Sequence, residues 1–313
     1  MIKAADLQGV HRAPFSVALL APRYWLTWFG LACARASLWL PWSLRLRLSR
    51  LFGALYYRTN GKRRRIADIN LRLCFPHWTA VKRDAVIREH CALAAQGLFF
   101  TATIWWAGEA TLDRWITIEG LEHYAAARDQ GRPVLALQGH FVGLESGVLV
   151  SRHFPYVGFM KALKNPVLDW AMTRGRERFG GRVFDRAGGL RPLIRALRAG
   201  FGASYVADED LGPRDSVYAP FFGVPAATLP TAGRLAGATG AVVIPCFAEL
   251  LPDGRCAMWL EPPIAGLPTG DPVHDARLMN EAFERAVLRM PAQYMWTLKR
   301  FKTQFDHQSP YER

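Results

Sequence analysis

The hydrophobic pattern changes character partway along the chain. Through roughly the first 110 residues apolar positions recur at helical spacing. Arg83–Trp106 carries Val86, Ile87, Cys91, Leu93 and Leu98 in such a pattern, with no proline. From Trp115 onward, short apolar runs alternate with amphipathic stretches. Pro133–Leu137, Tyr156–Met160, Ala203–Ala207 and Ala241–Phe247 predict strands. Val142–Arg152, Pro166–Phe179, Leu190–Ala199, Ala232–Thr239 and Asp275–Leu288 predict helices. Asn165-Pro166 marks a helix start, with proline at a tolerated first position. This alternation predicts an α/β sheet with helices on both faces. The change of pattern falls near residues 105–120, and no internal repeat or low-complexity segment is present.

Near the start, Tyr24–Leu44 holds Trp25, Trp28, Trp39 and Trp42 and little polarity. At about 100° per residue, Trp25, Trp28, Phe29, Ala32, Ala36 and Trp39 share one helix face. That face is small in the middle and aromatic at both ends. Arg35 lies at its edge, where the stem can snorkel. Charges at Arg23, Arg35 and Arg45 leave no long uncharged apolar run, which argues against a clean transmembrane span and a cleaved signal peptide. A central arginine in a span costs about 2.5–3.5 kcal/mol. A buried helix, a helix lying in a membrane interface and a true span all remain open. The basic run that follows (Arg45, Arg47, Arg50, Arg58, Lys62, Arg63, Arg64 and Arg65) favours the interfacial reading on an anionic leaflet. The same run also fits a solvated helix face.

Composition sharpens this picture. The 313 residues carry 40 Lys+Arg against 26 Asp+Glu, a net charge of +14. That balance favours an anionic partner: nucleic acid, an acidic membrane face or an acidic protein. Half the residues are hydrophobic, so disorder is not the default and a sizeable core is available. The five cysteines are scattered and form no C-x-x-C, which argues against a disulfide framework or structural zinc and for a reducing compartment. No H-E-x-x-H or comparable ligand cluster occurs, so no metal and no cofactor are expected.

The chemistry concentrates in Gln138–Gly147, QGHFVGLESG, directly after an apolar run. His140 and Glu145 stand five residues apart, about 140° around a regular helix, and cannot meet inside one. They can meet if His140 sits in the turn before the helix and Glu145 in its first turns. Gly139 and Gly143 make such a turn feasible. The carboxylate would then fix the imidazole tautomer and leave the other nitrogen as a base. The plainer alternative is a capping His and a solvated Glu. Ser146 does not lie in a G-x-S-x-G elbow, which excludes a serine-hydrolase reading.

His140-Phe141-Val142-Gly143-Leu144-Glu145 resembles the H-x4-D/E motif of the glycerolipid acyltransferase superfamily. The surroundings are similar to the late acyltransferases of lipid A biosynthesis. The resembling blocks run in order along nearly the whole chain: Pro22–Trp25, Asn70–Pro76, Asn165–Trp170 with Gly175-Arg176, Asp208–Arg214, Pro220–Gly223, and Pro291–Trp296 leading into Arg300–Thr303. Two departures stand out: Met160-Lys161 where that branch often has Tyr-Arg, and Glu209 where it often has His. Lysine keeps the charge but loses the planar fork.

The resemblance implies a central mixed sheet flanked by helices. The implied organisation is an N-terminal membrane-associating helical segment (1–55) and an acyltransferase domain (56–313). It implies transfer of a fatty acyl chain from acyl carrier protein to a 3-hydroxyacyl hydroxyl of a phosphorylated, Kdo-bearing lipid A precursor. The expected place is the cytoplasmic face of the inner membrane, on anionic lipids and without nucleic acid. His140 is the expected base and Glu145 its orienting acid. Lys161, Asn165, Arg174, Arg176, Asp208, Asp210 and Gly212 are the expected substrate-binding positions. Trp105 and Trp106 are candidates to line an acyl slot, or ordinary core. An enzyme of the same superfamily acting on another phospholipid or glycolipid is the nearest alternative. A non-catalytic basic membrane or nucleic-acid binder would have no need of His140 and Glu145.

Overall fold

The structure, a computed structural model, describes residues 7–305 and 308–312. Its first part is helical, as the spacing predicts. The tryptophan-rich segment is not one helix, however. A short 3-10 turn leads into α1 (Trp25–Ala36), a second 3-10 turn follows at Ser37–Trp39, and α2 (Trp42–Thr59) starts after Pro41. Proline cannot continue the preceding helix, and here it caps the next one. Then come α3 (Gly61–Cys74) and the 27-residue α4 (Ala80–Trp106), whose Thr79 side chain accepts from Lys82 N–H as an N-cap.

Arg45, Ser49, Gly53 and Tyr57 recur every four residues on α2 and are buried. This row faces α4. A β-carbon at Gly53 would stand 2.4 Å from Ala92 Cα. The two backbones therefore approach more closely than any side chain permits. Residue 55 lies inside α2.

The remainder is a mixed α/β fold. After α5 (Glu109–Trp115), the chain runs β1 (Ile116–Glu119), α6 (Leu121–Asp129), β2 (Val134–Gln138) and a 3-10 helix over Leu144–Arg152. It continues through β3 (Tyr156–Met160), α7 (Pro166–Glu177), β4 (Arg182–Asp185), α8 (Arg191–Arg198) and β5 (Gly202–Val206). A two-stranded hairpin, β6 (Val217–Phe221) and β7 (Val224–Thr228), stands apart. Then α9 (Thr231–Thr239), β8 (Val242–Leu250), β9 (Cys256–Leu260) and α10 (Pro272–Arg289) complete the fold. The seven-stranded sheet has the order β1-β9-β8-β2-β5-β3-β4. Its pairs are parallel except β8 with β9.

Helices cover both faces. Along β2, Leu135 and Leu137 enter the core shared with α8, α9 and α10, while Val134 and Ala136 enter the core under α4 and α6. A period-two side-chain pattern with both faces buried explains why this strand reads as an unbroken apolar run. All five β2 residues are buried. No helix of the described residues is long and apolar enough to cross a membrane.

Substituting Gly53 by Val forces α2 away from Ala92. We expect a loss of about 1–3 kcal/mol, the usual cost of overpacking, read as a lower Tm of the detergent-solubilised protein, whereas Gly30→Val, which meets no atom within 4 Å, leaves Tm nearly unchanged.

Candidate active site

The site lies where parallel strands end. Gln138 of β2 pairs in register with Val206 of β5, and Ala207 N–H donates to Gln138 O at 3.1 Å to extend the ladder. His140 and Asp208 each stand two residues beyond that pair, so they emerge side by side. Asp208 grips His140 twice. His140 N–H donates to Asp208 Oδ2 at 2.8 Å, and the imidazole Nδ1 lies 2.6 Å from Oδ1. An ionised Asp208 only accepts, so Nδ1 carries the proton and Nε2 presents its lone pair. Nε2 has no protein partner among the described residues.

The Asp208 side chain is fully buried and that of His140 is 30% exposed. Burial alone would lower the His140 pKa; the charge of Asp208 and its hydrogen bond outweigh it and raise the pKa above the ordinary value. For Asp208 burial acts upward, and the imidazole, the two hydrogen bonds from His140 and Arg300 outweigh it, so its pKa is lowered. The loop is also held from behind. Met295 N–H donates to His140 O at 2.8 Å, Val142 N–H donates to Gln293 O at 2.9 Å, and Phe141 bridges Tyr294. His90 of α4 bonds Ala292 O at 3.0 Å, and Asn70 of α3 donates to the carbonyls of Trp296 and Leu298 at 2.7 Å each.

Glu145 is placed differently from the sequence expectation. It sits in the first turn after His140, as the glycines allow, but the carboxylate bonded to His140 is Asp208. Arg176 of α7 binds Glu145 through Nε (3.1 and 3.2 Å) and Nη2 (2.8 Å), and Trp105 Nε1–H donates to Glu145 Oε1 at 2.8 Å. The physical reason is winding. The turn tightens to 3-10 over Leu144–Arg152 and lies hard against the sheet: a β-carbon on Gly143 would stand 2.8 Å from Ala248 O. Gly175 serves the same pair, since a β-carbon there would stand 2.5 Å from the Trp105 ring. Trp105 thus orients Glu145 rather than lining the cavity.

A cavity of about 790 Å³ opens at these strand ends, the usual ligand position in an open α/β sheet. Its polar lining includes His140, Lys161, Arg176, Arg186, Arg234 and the acids Glu209 and Asp215, and its apolar lining includes Leu144, Phe159, Met160, Met172 and Leu211. A second, narrow cavity of about 50 Å³ adjoins it, and Leu144, Phe159, Arg176 and Val206 border both. Of the predicted residues, His140, Lys161 and Arg176 reach the large cavity. Asn165 instead caps α7, accepting from Val167 and Leu168 N–H, and donates to Thr27 of α1 at 2.9 Å. Arg174 stacks on Trp170, away from the cavity. Asp210 accepts from Thr303 N–H, Thr303 Oγ1–H and Gly212 N–H, pinning the C-terminal segment to the turn at Gly212, whose φ is +104°.

Arg186 and Arg234 line the cavity without having been singled out in the sequence. Arg186 pairs with Glu209 at 3.0 Å. Arg186 directly follows β4, a strand that the sequence pattern did not single out. Arg234 sits inside an alanine- and glycine-rich helix and gives no signal of its own. No group of His, Cys, Asp and Glu that could hold a metal occurs among the described residues.

Fold and site together define an α/β fold with a carboxylate-paired imidazole at the mouth of a cation-rimmed, partly apolar cavity. Residues 12–303 match the family described as bacterial lipid A biosynthesis acyltransferase. The chain is 35% identical over 295 residues to the lipid A biosynthesis lauroyltransferase of Escherichia coli K12, covering 92% of this chain and 95% of that one. It is 33% identical over 305 residues to a lipid A biosynthesis acyltransferase of Haemophilus influenzae, covering 96% and 95%. The palmitoleoyltransferase of Escherichia coli K12 is 32% identical over 292 residues, covering 92% and 95%. The chain therefore belongs to the bacterial lipid A biosynthesis acyltransferases and is an acyltransferase.

Two substitutions separate the two carboxylates. Asp208→Asn keeps the shape but removes the charge that raises the His140 pKa, so the acid limb of kcat/KM moves to lower pH. We expect kcat/KM at the optimum to fall about 10²–10⁴-fold, the scale of general-base catalysis. Glu145→Gln leaves that limb in place, lowers activity through Arg176, and lowers Tm because a largely buried cation loses its partner.

Proposed function

We propose that the protein transfers a fatty acyl chain from acyl carrier protein to a 3-hydroxyacyl hydroxyl of a phosphorylated, Kdo-bearing lipid A precursor. The observation that carries this reading is the unpartnered Nε2 of His140, aimed by Asp208 at a cavity lined by both cations and apolar side chains. An aliphatic hydroxyl is almost un-ionised at neutral pH and needs a base at hydrogen-bonding distance. His140 Nε2 takes the hydroxyl proton as the oxygen attacks the thioester carbonyl. Asp208 stabilises the imidazolium that forms. The tetrahedral intermediate then expels the thiolate, which recovers the proton from His140. No covalent acyl-enzyme is required.

Negative charge develops on the thioester oxygen during attack, and a preorganised cation lowers that barrier. Arg176 is the candidate: Glu145 fixes its fork in place, and its side chain borders both cavities. Lys161, Arg186 and Arg234 line the same cavity and suit the anionic groups of the acceptor.

A lipid acceptor must reach this cavity from a bilayer. Trp25, Leu26, Phe29, Trp39, Leu51, Phe52 and Leu55 are exposed apolar residues of α1, α2 and the turn between them. Arg47, Arg50 and Arg58 are exposed on α2 among them. With no helix of the described residues suited to crossing the membrane, we read this face as an interfacial platform on the anionic cytoplasmic leaflet of the inner membrane.

The decisive measurement is product mass after incubation with acyl carrier protein thioesters of rising chain length and a Kdo-bearing lipid A precursor. One acyloxyacyl ester is expected with the native chain and almost none with His140→Ala; a fully active His140→Ala would overturn the mechanism. In sedimentation with phosphatidylglycerol-containing vesicles, Trp25→Ala/Phe29→Ala should bind less at any salt. Replacing Arg47, Arg50 and Arg58 by Gln should flatten the salt dependence, and unchanged binding in both would remove the platform.

A further inference from the structure

A crevice between α2 and α4 gathers more positive charge than its acids balance. Arg50, Ala54, Tyr57 and Arg58 line it from α2, and Arg88 and Ala92 from α4. Its volume is about 220 Å³. Helical spacing explains the lining. Positions 50, 54, 57 and 58 fall within about 100° of one another around α2, and positions 88 and 92 share a face of α4. The two helices meet where Gly53 seats against Ala92. The small side chains of Ala54 and Ala92 leave the adjoining space unfilled.

The guanidinium of Arg88 and that of Arg64 on α3 both stack on the Tyr57 ring, at 4.2 and 4.6 Å. Among the described residues, Asp84 is the acid bonded to this group: it accepts from the Tyr57 hydroxyl and from Arg88 Nε–H, the latter at 2.7 Å. Glu89, next along α4, does not line the crevice. Arg50 and Arg58 are exposed, and no side-chain ion pair or hydrogen bond engages them among the described residues. Four guanidiniums therefore gather around one carboxylate. Like charges held this close repel, and an anion among them relieves the repulsion. Guanidinium forks match phosphate oxygens in particular.

The neighbouring surface indicates which phosphate. Leu51 and Leu55 lie about 100° and 140° around α2 from Arg50, beside the crevice, and are 62% and 58% exposed. A phosphate carrying apolar chains satisfies both surfaces, with its headgroup among the arginines and its chains along the leucines. No residue lines both this crevice and the catalytic cavity, so the ligand is a second lipid rather than the acceptor. We propose that the α2–α4 crevice binds the phosphodiester headgroup of an anionic glycerophospholipid and so fixes the rotation of α2 on the leaflet. This rests on reading α1 and α2 as a membrane platform, and adds one requirement. Diffuse attraction counts charges, whereas a site needs an open crevice.

Three variants separate the two. Ala54→Leu fills the crevice, changes no charge and adds apolar surface. Arg88→Gln removes one guanidinium from it, and the exposed ion pair with Asp84 contributes little to folding. Arg35→Gln removes the same charge from the exposed side of α1, outside the crevice. The detergent-solubilised protein is mixed with equimolar phosphatidylglycerol and phosphatidylcholine, and the retained lipid is counted by native mass spectrometry. The native chain and Arg35→Gln should retain one phosphatidylglycerol, favoured about tenfold over phosphatidylcholine, the scale of one charge-assisted hydrogen bond. Ala54→Leu and Arg88→Gln should lose that preference. A native preference in Ala54→Leu would overturn the site, and so would equal losses in Arg35→Gln and Arg88→Gln. Displacement of the lipid by equimolar inorganic phosphate would reassign the crevice to a free anion, and displacement by a short oligonucleotide to nucleic acid. If Trp25→Ala/Phe29→Ala binds vesicles as the native chain does, the platform fails, while the retained lipid still reports on the crevice.

Discussion

Everything at the site depends on the lateral register of two parallel strands. Because Gln138 stands opposite Val206, the residues two positions past each become neighbours at the same sheet edge. The two hydrogen bonds from His140 to Asp208 follow from that register and no other. A slip of one residue would turn His140 to the opposite face of the strand. The apolar burial of β2 on both faces makes such a slip costly, so the same core that stabilises the fold also aims the His140 imidazole.

The two carboxylates near His140 have separate tasks for a physical reason. Asp208 is fully buried and accepts from both the ring and the backbone N–H of His140. Glu145 is 10% exposed, faces a planar guanidinium and is steadied by an indole N–H. An acid that orients an imidazole and an acid that orients a guanidinium need different surroundings. One must favour an imidazolium; the other must hold a fork rigidly beside the cavity without neutralising its outward reach. Two acids on two different elements meet both needs at once.

Much of the remaining polar architecture serves to hold this arrangement still. His90, Gln293 and the Asn70 amide N–H groups bond backbone atoms of the segment behind the His140 loop or of β8, and Asn70 Oδ1 accepts from the Tyr311 hydroxyl. Asp210 pins Thr303 to the loop that carries Asp208. Such buried, satisfied contacts are rigid and hold the His140 imidazole in one orientation. The exposed apolar surface of α1 and α2 is the contrasting case. Trp25, Phe29, Trp39 and Phe52 there are exposed.

The sequence by itself determined the local chemistry. The apolar runs at 133–137 and 156–160, the helices at 166–179 and 190–199, and the α/β class follow from periodicity, because side-chain alternation is a property of neighbouring residues. His140 was legible as a chemical residue at a strand end, and Arg176 and Lys161 as candidate cations. Only the tertiary structure decided which carboxylate meets His140. Asp208 and Glu145 are equally acidic in the sequence, and the nearer in the chain is not the nearer in space. Strand order decides that, and strand order is fixed by long-range pairing that leaves no local mark. The same holds for Arg186 and Arg234, brought to one cavity from either side of β5. It holds too for Asn165 and Asp210, whose hydrogen bonds turned out to close a helix end and a turn. The break of the tryptophan-rich segment at Pro41 was readable in principle, since the ring forbids a continuous helix there; the close seating of α2 on α4 through Gly53 was not.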